Sequence, residues 1–131
     1  MADIGVAGER FAFDADVWAE EVGRFREGGP AHGSALAARA RMERPDARIA
    51  VRPCDPGGPD TTALAGCGKV YVPLDAEPSR VPYAFVFAFR TEPTSGRVVL
   101  PLLVYGERHP TVGRSVYERA HRRLHGRYPG R

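Results

Sequence analysis

Apolar positions change their period near the middle of the chain. In the first half, Trp18, Val22 and Phe25 recur at i, i+4 and i+7, which marks one face of a helix over residues 17–27. Asp16 is placed as its N-cap, Glu20 and Glu21 fall near the positive end of the helix dipole, and Gly28, Gly29 and Pro30 stop it. An Ala- and Arg-rich segment from about Ser34 to Glu43, closed by Pro45, predicts a second helix, and the two can pack as a hairpin. Ile49 to Val51 reads as a short strand or an extended arm. Residues 53–60 hold three Pro and two Gly and predict a loop.

After that loop the pattern is that of strands. Lys69 to Val72 alternates, Tyr83 to Phe89 is apolar on both faces, and Val98 to Tyr105 forms a third run. Covering both faces of Tyr83–Phe89 requires neighbours on each side, so this strand is expected at the centre of the sheet. Pro101 cannot donate a ladder hydrogen bond and predicts a bulge or an open edge, and Thr94, Ser95 and Gly96 predict a hairpin turn before the third run. Thr111 is placed as the N-cap of a closing helix, with Val112, Val116, Ala120 and Leu124 at four-residue spacing and Gly126 as its stop. The expected fold class is α+β, in the order α-α-β-β-β-α. It consists of an N-terminal helix pair, a small, mainly antiparallel sheet and a C-terminal helix, all in one domain over residues 1–131.

Composition narrows the function classes. The 131 residues, 43% of them apolar, are enough for one modest core. No run of eighteen apolar residues exists, so no spanning helix is expected, and residues 1–16 lack the basic start and apolar stretch of a secretory signal. Cys54 and Cys67 are too few for a disulfide framework and read as thiols of a reducing, cytoplasmic compartment. The net charge of +3 conceals an asymmetry. Residues 108–131 carry seven Arg against one acid, Glu118, whereas the preceding part sums to −3. Clustered cations are the footprint of a polyanion partner or of a solvated surface. Arg122 and Arg123 read as the outer face of the last helix. Lys69, the sole lysine, reads by itself as a strand-edge charge. His121 and His125 stand at i, i+4, but no further ligands complete a metal site, and Glu20 and Glu21 read as helix-start acids rather than a catalytic pair.

Four segments together resemble a known family. They are Gly68–Val72, Tyr83–Phe89, Arg97–Arg108 with its Gly106-Glu107-Arg108 corner, and Val116–Leu124, which opens Val116-Tyr117 eight residues after the corner. Their succession, over residues 64–124, resembles the RelE/ParE superfamily of bacterial toxin–antitoxin toxins. Residues 1–63 are longer than that family typically needs. The resemblance implies a compact sheet with helices on one side and a cationic concave face. In the RelE branch it implies ribosome-dependent cleavage of mRNA, without a metal or other cofactor, in which a 2′-hydroxyl attacks the adjacent phosphate. Carried over by position, Lys69 and Arg108 would hold the phosphate and Tyr117 would transfer a proton or stack on a base. Arg80, Arg90, His109 and Arg114 are the further groups expected along an RNA-facing surface. Two positions depart from the RelE pattern: Ala84 stands where an arginine follows the tyrosine opening the central strand, and Tyr71 stands where a second lysine is usual. A cognate antitoxin, the ribosome and mRNA are the implied partners, with no membrane. The ParE branch implies the alternative of a non-catalytic DNA gyrase inhibitor. A degenerate, non-toxic member binding RNA or a protein is the other alternative.

Overall fold

The computed structural model describes residues 4–53, 66–110 and 116–123. The chain opens with two short strands, β1 (Ile4–Ala7) and β2 (Phe11–Ala12), separated by one 3₁₀ turn over Gly8–Arg10. The helices α1 (Ala15–Val22) and α2 (Pro30–Met42) follow. Next come β3 (Arg48–Pro53), β4 (Cys67–Val72), β5 (Tyr83–Ala88), β6 (Arg90–Thr91) and β7 (Val98–Glu107), then α3 (Val116–His121). The strands form one seven-stranded sheet in the order β1-β3-β4-β5-β7-β2, with β6 pairing β7 beside β5. All pairings are antiparallel except that of β2 with β7.

This overturns the expected N-terminal helix pair and small sheet. The chain begins with strands, and the sheet is the dominant element. The helices do not form a self-contained hairpin; α1 lies chiefly against β7 and α2 against β4. The reason is physical. Strands of four and two residues carry no readable period, and β1 and β2 owe their conformation to partners far along the chain, β3 and β7. The boundaries of α1 shift for a related reason. Asp14, not Asp16, is its N-cap, accepting hydrogen bonds from the amides of Asp16 (2.9 Å) and Val17 (3.1 Å). Gly29 and Pro30, read as a stop, instead start α2, with Pro30 in the first turn where its missing N–H costs nothing.

β5 lies between β4 and β7, and Ala84 to Ala88 are buried. Its two faces differ in bulk. Phe85 and Phe87 point into a thick aromatic layer with Phe11, Leu100, Leu102 and Tyr105, which α1 and α2 cover through Val22, Ala35, Ala38 and Met42. Ring centroids there are close, 4.8 Å for Phe11–Phe87 and 4.9 Å for Phe85–Tyr105. Each such ring contributes about 1.5–3 kcal/mol by burial. Ala84, Val86 and Ala88 face the other way, toward Val116, Tyr117 and Ala120 of α3. At Pro101 the outcome is mixed. The β5–β7 register shifts so that Val86 faces Val104 but Phe87 faces Leu102, leaving Leu103 as the extra residue of a bulge. Pro101 itself is not on an open edge, because β2 pairs with β7 there through Ala12. The turn at Thr94–Gly96 forms as expected, with Gly96 at φ +72° and the Glu92 amide donating to the Arg97 carbonyl at 2.8 Å.

β2 is too short to cover the rest of β7, and an ion-pair network takes over. Glu21, 2% exposed, accepts the Tyr105 amide at 3.0 Å, while Arg119 of α3 donates to the Tyr105 carbonyl at 3.1 Å. Arg119 also pairs with Glu21, and Arg123 bonds Glu21 at 2.8 Å and Glu20 at 2.9 Å. A Cβ on Gly106 would stand 3.0 Å from the Arg119 guanidinium, so glycine leaves it room. The acids read as helix-start residues thus occupy the last turn of α1, and Arg123, read as an outer-face cation, is one of their partners. Among the described residues, no helix is long and apolar enough to cross a membrane.

Two outcomes follow for stability. Glu21→Ala leaves the Tyr105 amide without its acceptor and takes the shared carboxylate from Arg119 and Arg123, and is expected to lower unfolding free energy by about 3 kcal/mol in urea titration. Tyr105 buries its ring and donates its hydroxyl to the Ala31 carbonyl at 2.7 Å. Burial, reinforced by neighbouring Tyr83, raises its pKa well above the ordinary 10.0. The unfolded chain releases this proton near its ordinary value while the folded chain retains it. Stability is therefore expected to fall as pH rises above about 10, and less steeply in Tyr105→Phe.

Candidate functional site

The face of the sheet that carries α3 also carries a cluster of cations and phenols. Strand register builds it. Arg52 of β3 pairs with Lys69 of β4, and Lys69 pairs with Val86 of β5. Two rungs further, Tyr71 pairs with Ala84, which pairs with Gly106 of β7. Residues 69 and 71 share a face because side chains alternate along a strand, and Arg108 follows Gly106 on the same side.

Tyr71 is the centre of the cluster. The Arg108 guanidinium carbon lies 4.0 Å from its ring centroid, that of Arg52 4.9 Å, and the Lys69 ammonium 5.6 Å. Arg52 also donates a hydrogen bond to the Tyr71 hydroxyl at 3.3 Å. Three cations around one half-buried phenol change its acidity. Burial alone pushes the Tyr71 pKa up. The charges of Lys69 and Arg108, with the hydrogen bond and charge of Arg52, outweigh that and leave it below the ordinary 10.0.

Arg108 is held from several sides. Its amide donates to the Pro82 carbonyl and its guanidinium to the Val81 carbonyl, both at 2.9 Å, and its Nε donates to the Tyr117 hydroxyl at 3.3 Å. Tyr117 is only 3% exposed, and its ring lies 4.8 Å beneath the Lys69 ammonium. Lys69, Arg108 and Tyr117 therefore come together, but in unequal roles. Tyr117 supports Lys69 and orients Arg108 from within the core, and the phenol that reaches the surface is Tyr71.

The other expected residues lie elsewhere. Arg80 is exposed before β5 and pairs with Glu77 at 3.6 Å. Arg90 is exposed on β6, at the opposite end of β5 from Ala84. His109 is exposed directly after Arg108. Arg114, Cys54 and His125 lie outside the described residues, and Cys67 is a buried thiol in the layer under α3. Among the described residues, no group of three or more His, Cys, Asp and Glu could hold a metal ion. Ala84 is fully buried beneath α3, where an arginine side chain has no room.

Sequence reasoning missed Tyr71 and Arg52 as members of the site. The i, i+2 spacing of Tyr71 from Lys69 is a readable signal, since it puts both on one strand face. Arg52 carries none, because its neighbourhood depends on the β3–β4 register. Chemically, the cluster offers fixed positive charge for a phosphate and a phenol adjusted toward proton transfer or base stacking. In a spectrophotometric or NMR titration, Tyr71 is expected to ionise below the ordinary tyrosine value of 10.0 and to move upward in Arg108→Gln. A phenol that titrates at its ordinary value in both proteins would contradict this account of its surroundings.

No protein-family model, no curated protein and no solved structure matches the chain.

Proposed function

We propose that the protein is a RelE-like toxin, a metal-independent endoribonuclease that cuts mRNA at the ribosome and so inhibits translation in the cytoplasm. The observation that carries this reading is the convergence of Lys69 and Arg108 on Tyr71, with Tyr117 beneath them. Three residues picked out by resemblance from separate segments share one cluster.

In this reading Arg108, Lys69 and Arg52 bind the scissile phosphate and stabilise the charge that builds up as it becomes five-coordinate. Once ionised, a form that the charges of Lys69, Arg108 and Arg52 favour, the Tyr71 oxygen accepts the 2′-hydroxyl proton. The new bond joins the 2′ oxygen to phosphorus, and the bond from phosphorus to the 5′ oxygen breaks. The products are a 2′,3′-cyclic phosphate and a 5′-hydroxyl. His109, adjacent to Arg108, supplies the leaving oxygen with its proton. A cognate antitoxin neutralises the protein by covering this cationic face.

Ala84 favours a second reading. With Ala84 in place of the arginine usual after the strand-opening tyrosine, a non-catalytic gyrase inhibitor, or a non-toxic member binding RNA or protein through the same face, needs fewer groups than the nuclease does. Controlled expression with mapping of mRNA 5′ ends separates these readings. The nuclease reading expects cleavage within translated codons, reduced about 100-fold or more in Arg108→Ala and in Lys69→Met. Growth arrest with inhibited supercoiling and intact messages would replace it with the gyrase reading, and an absence of arrest with the non-toxic one.

A further inference from the structure

Among the described residues, β3 and β4 are paired at Arg52–Lys69 and Pro53–Gly68, and from Val51 and Val70 onward they separate. From Arg48 to Val51, β3 pairs with β1 on its far side, while Val70 to Val72 pair only with β5. A groove of about 330 Å³ opens where the two strands part, with α2 beneath it. Its floor is apolar, formed by Ala38 and Met42 of α2 with Ile49 and Val70. Its rim carries Arg41, Arg48, Arg52 and Lys69, and no carboxylate is among the described residues lining it. Arg41, Arg48 and Arg52 are exposed, and neither Arg41 nor Arg48 is ion-paired with a described residue. Tyr71 forms part of the wall, so the groove is continuous with the cluster around that phenol.

We propose that this groove is a single-stranded RNA subsite, in which an unstacked base next to the reacting phosphate rests on the apolar floor while the rim cations hold the neighbouring phosphates. The proposal rests on the nuclease reading for the identity of the strand and adds the path that the strand takes away from Tyr71. An apolar platform with a cationic rim is the combination that single-stranded nucleic acid requires. A duplex keeps its bases stacked and cannot place one on the floor. The volume lies at the small end of ligand clefts, room for one base rather than a folded partner. The groove also gives the N-terminal strand a role. β1 braces β3 on the side away from β4, and at Gly5 the Arg48 side chain crosses so closely that a Cβ would stand 3.2 Å from its Nε.

The test measures binding of a fluorescently labelled, single-stranded 2′-O-methyl oligouridylate, which lacks the attacking hydroxyl and so separates binding from cleavage. Arg41→Ala combined with Arg48→Ala is expected to weaken binding about 10-fold or more and to make the salt slope shallower by about 1.4. The charge-matched pair Arg26→Ala with Arg97→Ala is expected to change affinity by less than about twofold, since both lie outside the groove. Ala50→Phe, which removes no charge but fills the groove, is expected to weaken the single strand as well. Equal losses from the two arginine pairs, unchanged binding in Ala50→Phe, or equal affinity for a duplex of the same length would overturn the proposal. Its failure is distinct from that of the nuclease reading. Arg108-dependent cleavage with normal binding by the groove variants overturns only the subsite. Lost binding in those variants without any message cleavage leaves the subsite standing and removes the nuclease.

Discussion

The free edge of β7 is the constraint around which the fold is arranged. An exposed strand edge leaves amide and carbonyl groups to be satisfied, and β2 satisfies them for only two residues. At Tyr105 the Glu21 carboxylate accepts the amide and the Arg119 guanidinium donates to the carbonyl, so an ion pair stands in for a strand. Burying a carboxylate is costly unless it is both paired and hydrogen-bonded, and Glu21 has two arginines and one amide. The same interaction ties α1 to the strand edge and carries α3 to the opposite face of the sheet. The seat of Tyr117, and through it the orientation of Arg108, depends on that placement.

The unequal faces of β5 carry this constraint to the site. Phenylalanines at 85 and 87 require the deep aromatic layer under α1 and α2, whereas the alanines at 84 and 88 let α3 lie close. Close packing is what buries Ala84, and it is also what excludes a cation from that position. The positive charge of the site is therefore recruited from the other side, from β4 and β3, and Tyr71 lies where those cations meet the Arg108 corner.

Legibility in the sequence followed the range of the interactions. The central place of β5 could be read because burial on both faces leaves a continuous apolar run. The turn at Thr94–Gly96 could be read because its chemistry is local. The strand character of Ile4–Ala7 and Phe11–Ala12 could not, since nothing in those residues specifies pairing with Arg48–Val51 or Leu100–Pro101. The site divides in the same way. Lys69, Arg108 and Tyr117 stood out by resemblance, and their convergence follows from the β4–β5–β7 register. Arg52 entered only when that register was extended to β3. Glu21 was misread because its helix begins earlier than its apolar spacing implies, which turns an apparent start into an end.

Charge shows most clearly why a linear pattern can mislead. The basic block over residues 108–131 suggests a polyanion surface concentrated at the C-terminal end of the chain. Within the described part of that block, Arg119 and Arg123 are engaged by Glu21 and Glu20, so their charge is balanced inside the fold. Arg108 alone of these three joins the Tyr71 cluster. The cations around Tyr71 and along the adjoining groove come instead from Arg41, Arg48, Arg52 and Lys69, in the part of the chain whose net charge is negative. Local charge density along a sequence counts arginines without regard to their acids, whereas folding sorts them, pairing some in the interior and aligning others on one face. The cationic surface of this protein is thus a product of strand register, and it centres on a tyrosine that no charge count would have selected.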